Sequence, residues 1–95
     1  MLITIIALDK PGHQDLRMKT RPDHLKWIAD KVPPALFIGP ILADDGVGMM
    51  GSLYIVEFED LATARAFQKG DPYNQVGLFE RVIVQPTRNL AVPKP

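Results

Sequence analysis

Apolar residues open the chain in a run that alternates across two faces. Ile3, Ile5 and Ala7 fall on one face of an extended segment, and Leu2, Ile6 and Leu8 on the other. The run is β-branched and short, so it reads as a strand, and apolar residues on both faces place it centrally. Ala35–Leu42 reads as a second strand. Gly39-Pro40 interrupts it, which suits an edge position or a bulge. Asp45-Gly46 marks a reversal. In Met49–Phe58, Leu53 and Ile55 alternate with Tyr54, Val56 and Phe58, giving a third strand with two apolar faces. Arg81–Gln85 reads as the last strand, ended by Pro86.

Two segments carry helical spacing. Pro22 to about Val32 places Leu25, Ile28, Ala29 and Val32 on one face, with Pro22 in the first turn and Pro33-Pro34 as the stop. Leu61–Lys69 carries a narrow stripe of Leu61, Ala64 and Phe67, with Asp60 as N-cap and Gly70 as the stop. Asp71–Gln75 forms either a turn or one extra helical turn. Asp9–Lys19, with Pro11-Gly12, His13, Asp15 and Arg17, reads as a polar loop. The tail from about residue 87 to Pro95 is loosely held.

The order β-α-β-β-α-β defines an α+β fold, the ferredoxin-like split βαβ arrangement. Its antiparallel sheet has strand order 4-1-3-2, with the two most apolar strands central and the Pro40 strand at an edge. No repeat or linker divides the chain, so residues 1–95 form a single domain. Both helices cover one sheet face and leave the other apolar and open, which predicts a homodimer packed through that face.

Composition narrows the partners. Eleven basic and eleven acidic residues cancel. This argues against nucleic-acid or anionic-membrane surfaces, which take a basic excess. The absence of cysteine excludes disulfides, thiolate metal sites and cysteine nucleophiles, and suits the cytoplasm. The apolar start meets Asp9 and Lys10 too soon for a signal peptide or membrane span.

His24 lies at the border of the first helix's apolar face. It is either a structural histidine with one hydrogen bond or a general acid/base. A helix start beside it disfavours its charged form, and a nearby carboxylate favours it. Asp71 reads locally as a turn residue after Gly70, yet this fold lets the end of the second helix approach the first. A carboxylate there fixes the imidazole tautomer and leaves the other nitrogen for a substrate proton. Arg17 and Arg21 flank the helix start as candidate anion-binding groups, against the plainer reading of solvated arginines. Two histidines without ligand spacing give no metal site. Ser52 lacks a nucleophile-elbow motif, and no phosphate loop or GxGxxG is present, so no cofactor is expected.

The segments Arg17…Thr20-Arg21-Pro22-Asp23-His24-Leu25, Ile38-Gly39-Pro40-Ile41-Leu42, Gly51-Ser52-Leu53 and Asp71-Pro72-Tyr73 occur in an order that resembles the YciI-like (YCII-related) family. The resemblance implies a ferredoxin-like fold, a dimeric α+β barrel and a pocket with a His–Asp pair at His24 and Asp71. Arg17, Arg21, Ser52 and Tyr73 then become substrate-binding candidates. A related enzyme is a dehydrochlorinase on a chlorinated hydroxyquinol, and the fold group includes muconolactone isomerases. The implied activity is cofactor-free proton transfer on a small organic molecule, of lyase or isomerase type. The alternatives are a non-catalytic small-ligand-binding or sensor module, and a structural subunit with His24 and Asp71 apart on the surface.

Overall fold

The computed structural model describes residues 1–91. Its elements are β1 (Leu2–Asp9), α1 (Gln14–Lys31), β2 (Ala35–Leu42), β3 (Met49–Glu57), α2 (Leu61–Lys69), α3 (Pro72–Gln75) and β4 (Phe79–Pro86). The four strands form one antiparallel sheet in the order β2-β3-β1-β4, the ferredoxin-like arrangement. β1 and β3 are central, and the Pro40 strand is an edge. Of the tail expectation, residues 92–95 lie outside the described residues. Thr87 continues the sheet by donating its N–H to the Leu2 carbonyl at 2.9 Å.

Alternation along the central strands sorts the two sheet faces. Ile3, Ile5, Tyr54, Val56 and Phe58 form the core with Ala64 and Val84, beneath the helices. Trp27 of α1 meets Phe67 of α2 at a ring-centroid distance of 4.3 Å, and Phe67 lies 5.3 Å from Phe58. This aromatic contact joins the two helices over the sheet. The register aligns Ile6, Leu53 and Ile83 across the opposite face, and the next row holds Phe37 and Ile55. No helix among the described residues covers that apolar face.

The first helix departs from the sequence pattern. It starts at Gln14, not Pro22, so most of the expected Asp9–Lys19 loop is helical. Gly12, at φ 71°, makes the left-handed turn out of β1, and Asp15 complements the positive end of the helix. Pro22 is therefore interior, where a proline ordinarily costs about 3 kcal/mol. Side chains on either side of it, Arg17 before and His24 after, are anchored by hydrogen bonds to other elements. The buried face is Arg17, Thr20 and His24, continued by Ile28 and Val32 on the core; Leu25 and Ala29, expected inside, are exposed. α2 follows the pattern, with the Asp60 carboxylate accepting from the Thr63 N–H at 2.7 Å. Asp71–Gln75 resolves into a single helical turn, capped by Asp71.

Candidate active site

Three elements bring the polar residues together beneath α1. The helix spacing of residues 17, 20 and 24 aims Arg17, Thr20 and His24 at the sheet. Ser52 and Tyr54 alternate with Leu53 on β3 and so face the same helix. Asp71 leaves the end of α2 and caps α3, its Oδ1 accepting the Tyr73 N–H at 2.9 Å. The cap fixes the carboxylate, and the same oxygen lies 3.0 Å from His24 Nδ1.

A carboxylate only accepts hydrogen bonds, so the His24 nitrogen facing it carries the proton. The other nitrogen, Nε2, is not left open as the sequence reading supposed. It lies 3.2 Å from the Tyr54 hydroxyl, which is also 3.3 Å from Asp71 Oδ2. Burial, then the Asp71 charge, pushes the Tyr54 hydroxyl's pKa well above the usual tyrosine range. Tyr73 stacks on the His24 ring with centroids 4.1 Å apart, and the Arg17 guanidinium lies over the Tyr73 ring. The helix start expected beside His24 lies ten residues earlier, at Gln14.

The two arginines separate in role. Arg17 is buried and grips Asp9 with two bonds, Nε to Oδ2 at 2.6 Å and Nη2 to Oδ1 at 2.9 Å. Its Nη2 also donates to Ser52 Oγ at 3.0 Å, and its guanidinium lies 4.3 Å from the centre of the Tyr73 ring. Burial works to lower the Arg17 pKa, but the Asp9 hydrogen bond and charge outweigh it, so the net shift is upward. Arg21, one turn on, lines the pocket and makes no side-chain hydrogen bond or ion pair among the described residues. His13 stands apart, its Nδ1 donating to the Pro11 carbonyl at 2.8 Å.

A cavity of about 220 Å³ opens over this cluster. Its polar wall contains Arg17, Arg21, His24, Ser52, Tyr54 and Tyr73. Leu25, Ile28, Ile38, Pro40 and Met49 supply its apolar lining. An engineered cavity of about 150 Å³ holds benzene, so this space suits a substituted ring or a molecule of that size. Every buried side-chain nitrogen and oxygen among the described residues has a partner. Tyr54 and Asp9 were not singled out from the sequence. The alternation of β3 does place Tyr54 on the Ser52 face, and a buried tyrosine hydroxyl needs a partner. Asp9, at the end of an apolar strand, carries no comparable signal.

The structure is a ferredoxin-like α+β fold in which the His24–Asp71–Tyr54 cluster lies beside a small pocket. Residues 1–88 match the YCII-related domain, and the chain belongs to that family. It is 35% identical over 97 aligned residues to protein YciI of Escherichia coli O6:H1, covering 95% of this chain and 99% of the relative. An uncharacterised Haemophilus influenzae protein is 31% identical over the same span. Among solved structures, it resembles 5-chloro-2-hydroxyhydroquinone dehydrochlorinase from Burkholderia phenoliruptrix AC1100 in complex with 2,5-dihydroxybenzoquinone. That likeness has a TM-score of 0.84 and 29% identity, and covers 93% of this chain and 94% of the other.

Proposed function

We propose that this protein is a small enzyme that moves a proton on a small organic molecule held in the pocket, without a cofactor. The observation that carries the reading is the 3.0 Å contact of His24 Nδ1 with Asp71 Oδ1 beside the cavity. His24 acts as the base. Asp71 fixes its tautomer and stabilises the imidazolium that forms. Negative charge developing on a substrate oxygen meets Arg21, the pocket-lining cation that has no side-chain partner among the described residues. Arg17 and Ser52 shape the wall and hold Tyr73 against the His24 ring. The resemblance to a dehydrochlorinase supports lyase or isomerase chemistry on an oxygenated ring.

The test uses 5-chloro-2-hydroxyhydroquinone and follows chloride release by wild type, His24→Ala and Asp71→Asn. Turnover that collapses in His24→Ala supports the reading; a His24→Ala protein with full turnover refutes it. One observation favours a second reading, a binding module: both His24 nitrogens already have partners in the protein. Tight binding of 2,5-dihydroxybenzoquinone with no turnover of any ring compound would select it.

The chain works as one domain and as a homodimer, with a second copy against the open sheet face as in a dimeric α+β barrel. The row of Ile6, Leu53 and Ile83 with Phe37 and Ile55 supports this contact. Sedimentation showing a stable monomer at micromolar concentration would defeat it. The lack of cysteine fits a cytoplasmic protein. Among the described residues, no helix is long and apolar enough to cross a membrane.

A further inference from the structure

We propose that the Tyr54 hydroxyl is the second catalytic group of the site, carrying the proton between a bound molecule and His24 Nε2. The inference rests on His24 being the base, and it answers how a base with both nitrogens engaged reaches a substrate. The His24 side chain is only 9% exposed, and Nδ1 is committed to Asp71. The remaining lone pair, at Nε2, lies behind the Tyr54 oxygen at 3.2 Å. Tyr54 itself lines the pocket.

A hydroxyl has one hydrogen and two acceptor positions, and the surroundings of this one offer that hydrogen two destinations. When His24 is neutral, the hydrogen points to Nε2. When Nε2 carries a proton, the hydroxyl accepts it and turns its own hydrogen to Asp71 Oδ2, 3.3 Å away. Nε2 thus keeps a partner in both protonation states, and Asp71 Oδ2 gains its donor when the imidazolium forms. In the forward step the substrate's bond to hydrogen breaks and its electron pair stays on the substrate. That proton forms a new O–H bond at Tyr54, the old Tyr54 O–H bond breaks, and its hydrogen forms Nε2–H. The products are a substrate anion, an imidazolium held by Asp71, and a neutral tyrosine. Burial and the Asp71 charge keep the hydroxyl protonated, so it works as a relay and not as a phenolate base. Contacts of 3.2 and 3.3 Å are long for a hydroxyl, as is common before a ligand tightens a catalytic site.

The experiment compares full-length wild type, Tyr54→Phe and His24→Ala on 5-chloro-2-hydroxyhydroquinone. It adds imidazole ¹⁵N NMR of wild type and Tyr54→Phe without ligand. The relay predicts that Tyr54→Phe lowers kcat by about 10²- to 10⁴-fold, with KM changed less than about threefold. It also predicts a neutral His24 protonated at Nδ1, with a hydrogen-bonded Nε2 whose shift moves to that of a free acceptor in Tyr54→Phe. Tyr54→Phe at full speed beside an inactive His24→Ala overturns the relay and leaves the base reading standing. Full speed in both variants overturns both. The wild-type spectrum decides independently of turnover and of the folding of either variant: a neutral His24 protonated at Nε2 has no lone pair to receive the Tyr54 proton, and overturns the relay.

Discussion

Replacing Arg17 with methionine separates a residue that builds the site from one that binds in it. Methionine keeps a long unbranched stem against Tyr73 but removes the cation. Arg17 is 2% exposed and the Asp9 side chain 6%, so the Asp9 carboxylate is left buried with no counter-charge. Ser52 Oγ loses its donor in the same step. Breaking a buried ion pair from one side costs about 3–5 kcal/mol. Small domains hold about 5–15 kcal/mol in total, so the loss is a large part of the stability. With a urea m-value of about 1–3 kcal/mol/M, the unfolding midpoint falls by roughly 2 M. Changing both partners, as Asp9→Leu with Arg17→Met, removes the orphaned charge and recovers about 2 kcal/mol or more. Equilibrium urea unfolding followed by Trp27 fluorescence measures each variant. A loss below about 1 kcal/mol for Arg17→Met would mean a solvated, mobile guanidinium. That result would refute the structural assignment and return Arg17 to the anion-binding groups.

Arg21→Ala should behave oppositely. Its stability stays within about 0.5 kcal/mol of wild type. Affinity for 2,5-dihydroxybenzoquinone, measured calorimetrically, falls by roughly ten- to a hundredfold, as loss of a hydrogen bond to a charged group of about 1.5–3 kcal/mol requires. Unchanged affinity would place Arg21 outside the ligand's reach. The chain has two tyrosines, and both are pushed upward, Tyr54 by burial and the Asp71 charge, and Tyr73 by burial against the opposing charges of Arg17 and Arg21. A raised folded-state pKa contributes stability below the unfolded value of about 10, which is lost as pH rises through the folded value. Phenolate absorbance should therefore appear together with loss of the folded circular-dichroism signal. Ionisation of both tyrosines near pH 10 in a still-folded chain would contradict the burial argument.

The sheet was legible because its information is apolar and local. Alternation in Leu2–Leu8 and Met49–Phe58 marked the central strands, and Pro40 marked an edge. The start of α1 was not legible, because its first buried turns carry no apolar face. Arg17, Thr20 and His24 have helical spacing, but in sequence a buried arginine looks like a solvated one. With the stripe hidden, Pro22 read as a beginning. Topology and the Gly70 stop only allowed Asp71 to approach the first helix, and the family resemblance paired it with His24, whereas Tyr54 counted only as an apolar residue of β3. Only the structure shows that its hydroxyl, and not the open pocket, meets Nε2.

The buried polar face of α1 makes folding and site assembly one process. Asp9 at the end of β1 fixes the Arg17 guanidinium, and Arg17 lies over the Tyr73 ring. Tyr73 in turn stacks on His24, and its N–H holds the Asp71 oxygen that His24 meets. Each group restricts the next, so the fold itself orients the imidazole, which supports the proposed proton transfer. Arg17 thus helps to orient His24 while its own charge is spent on Asp9. The proposed ligand-binding charge therefore falls to Arg21, which lines the pocket. Arg17 and His24, anchored on either side of Pro22, both belong to this cluster, so loosening the helix there would disturb it.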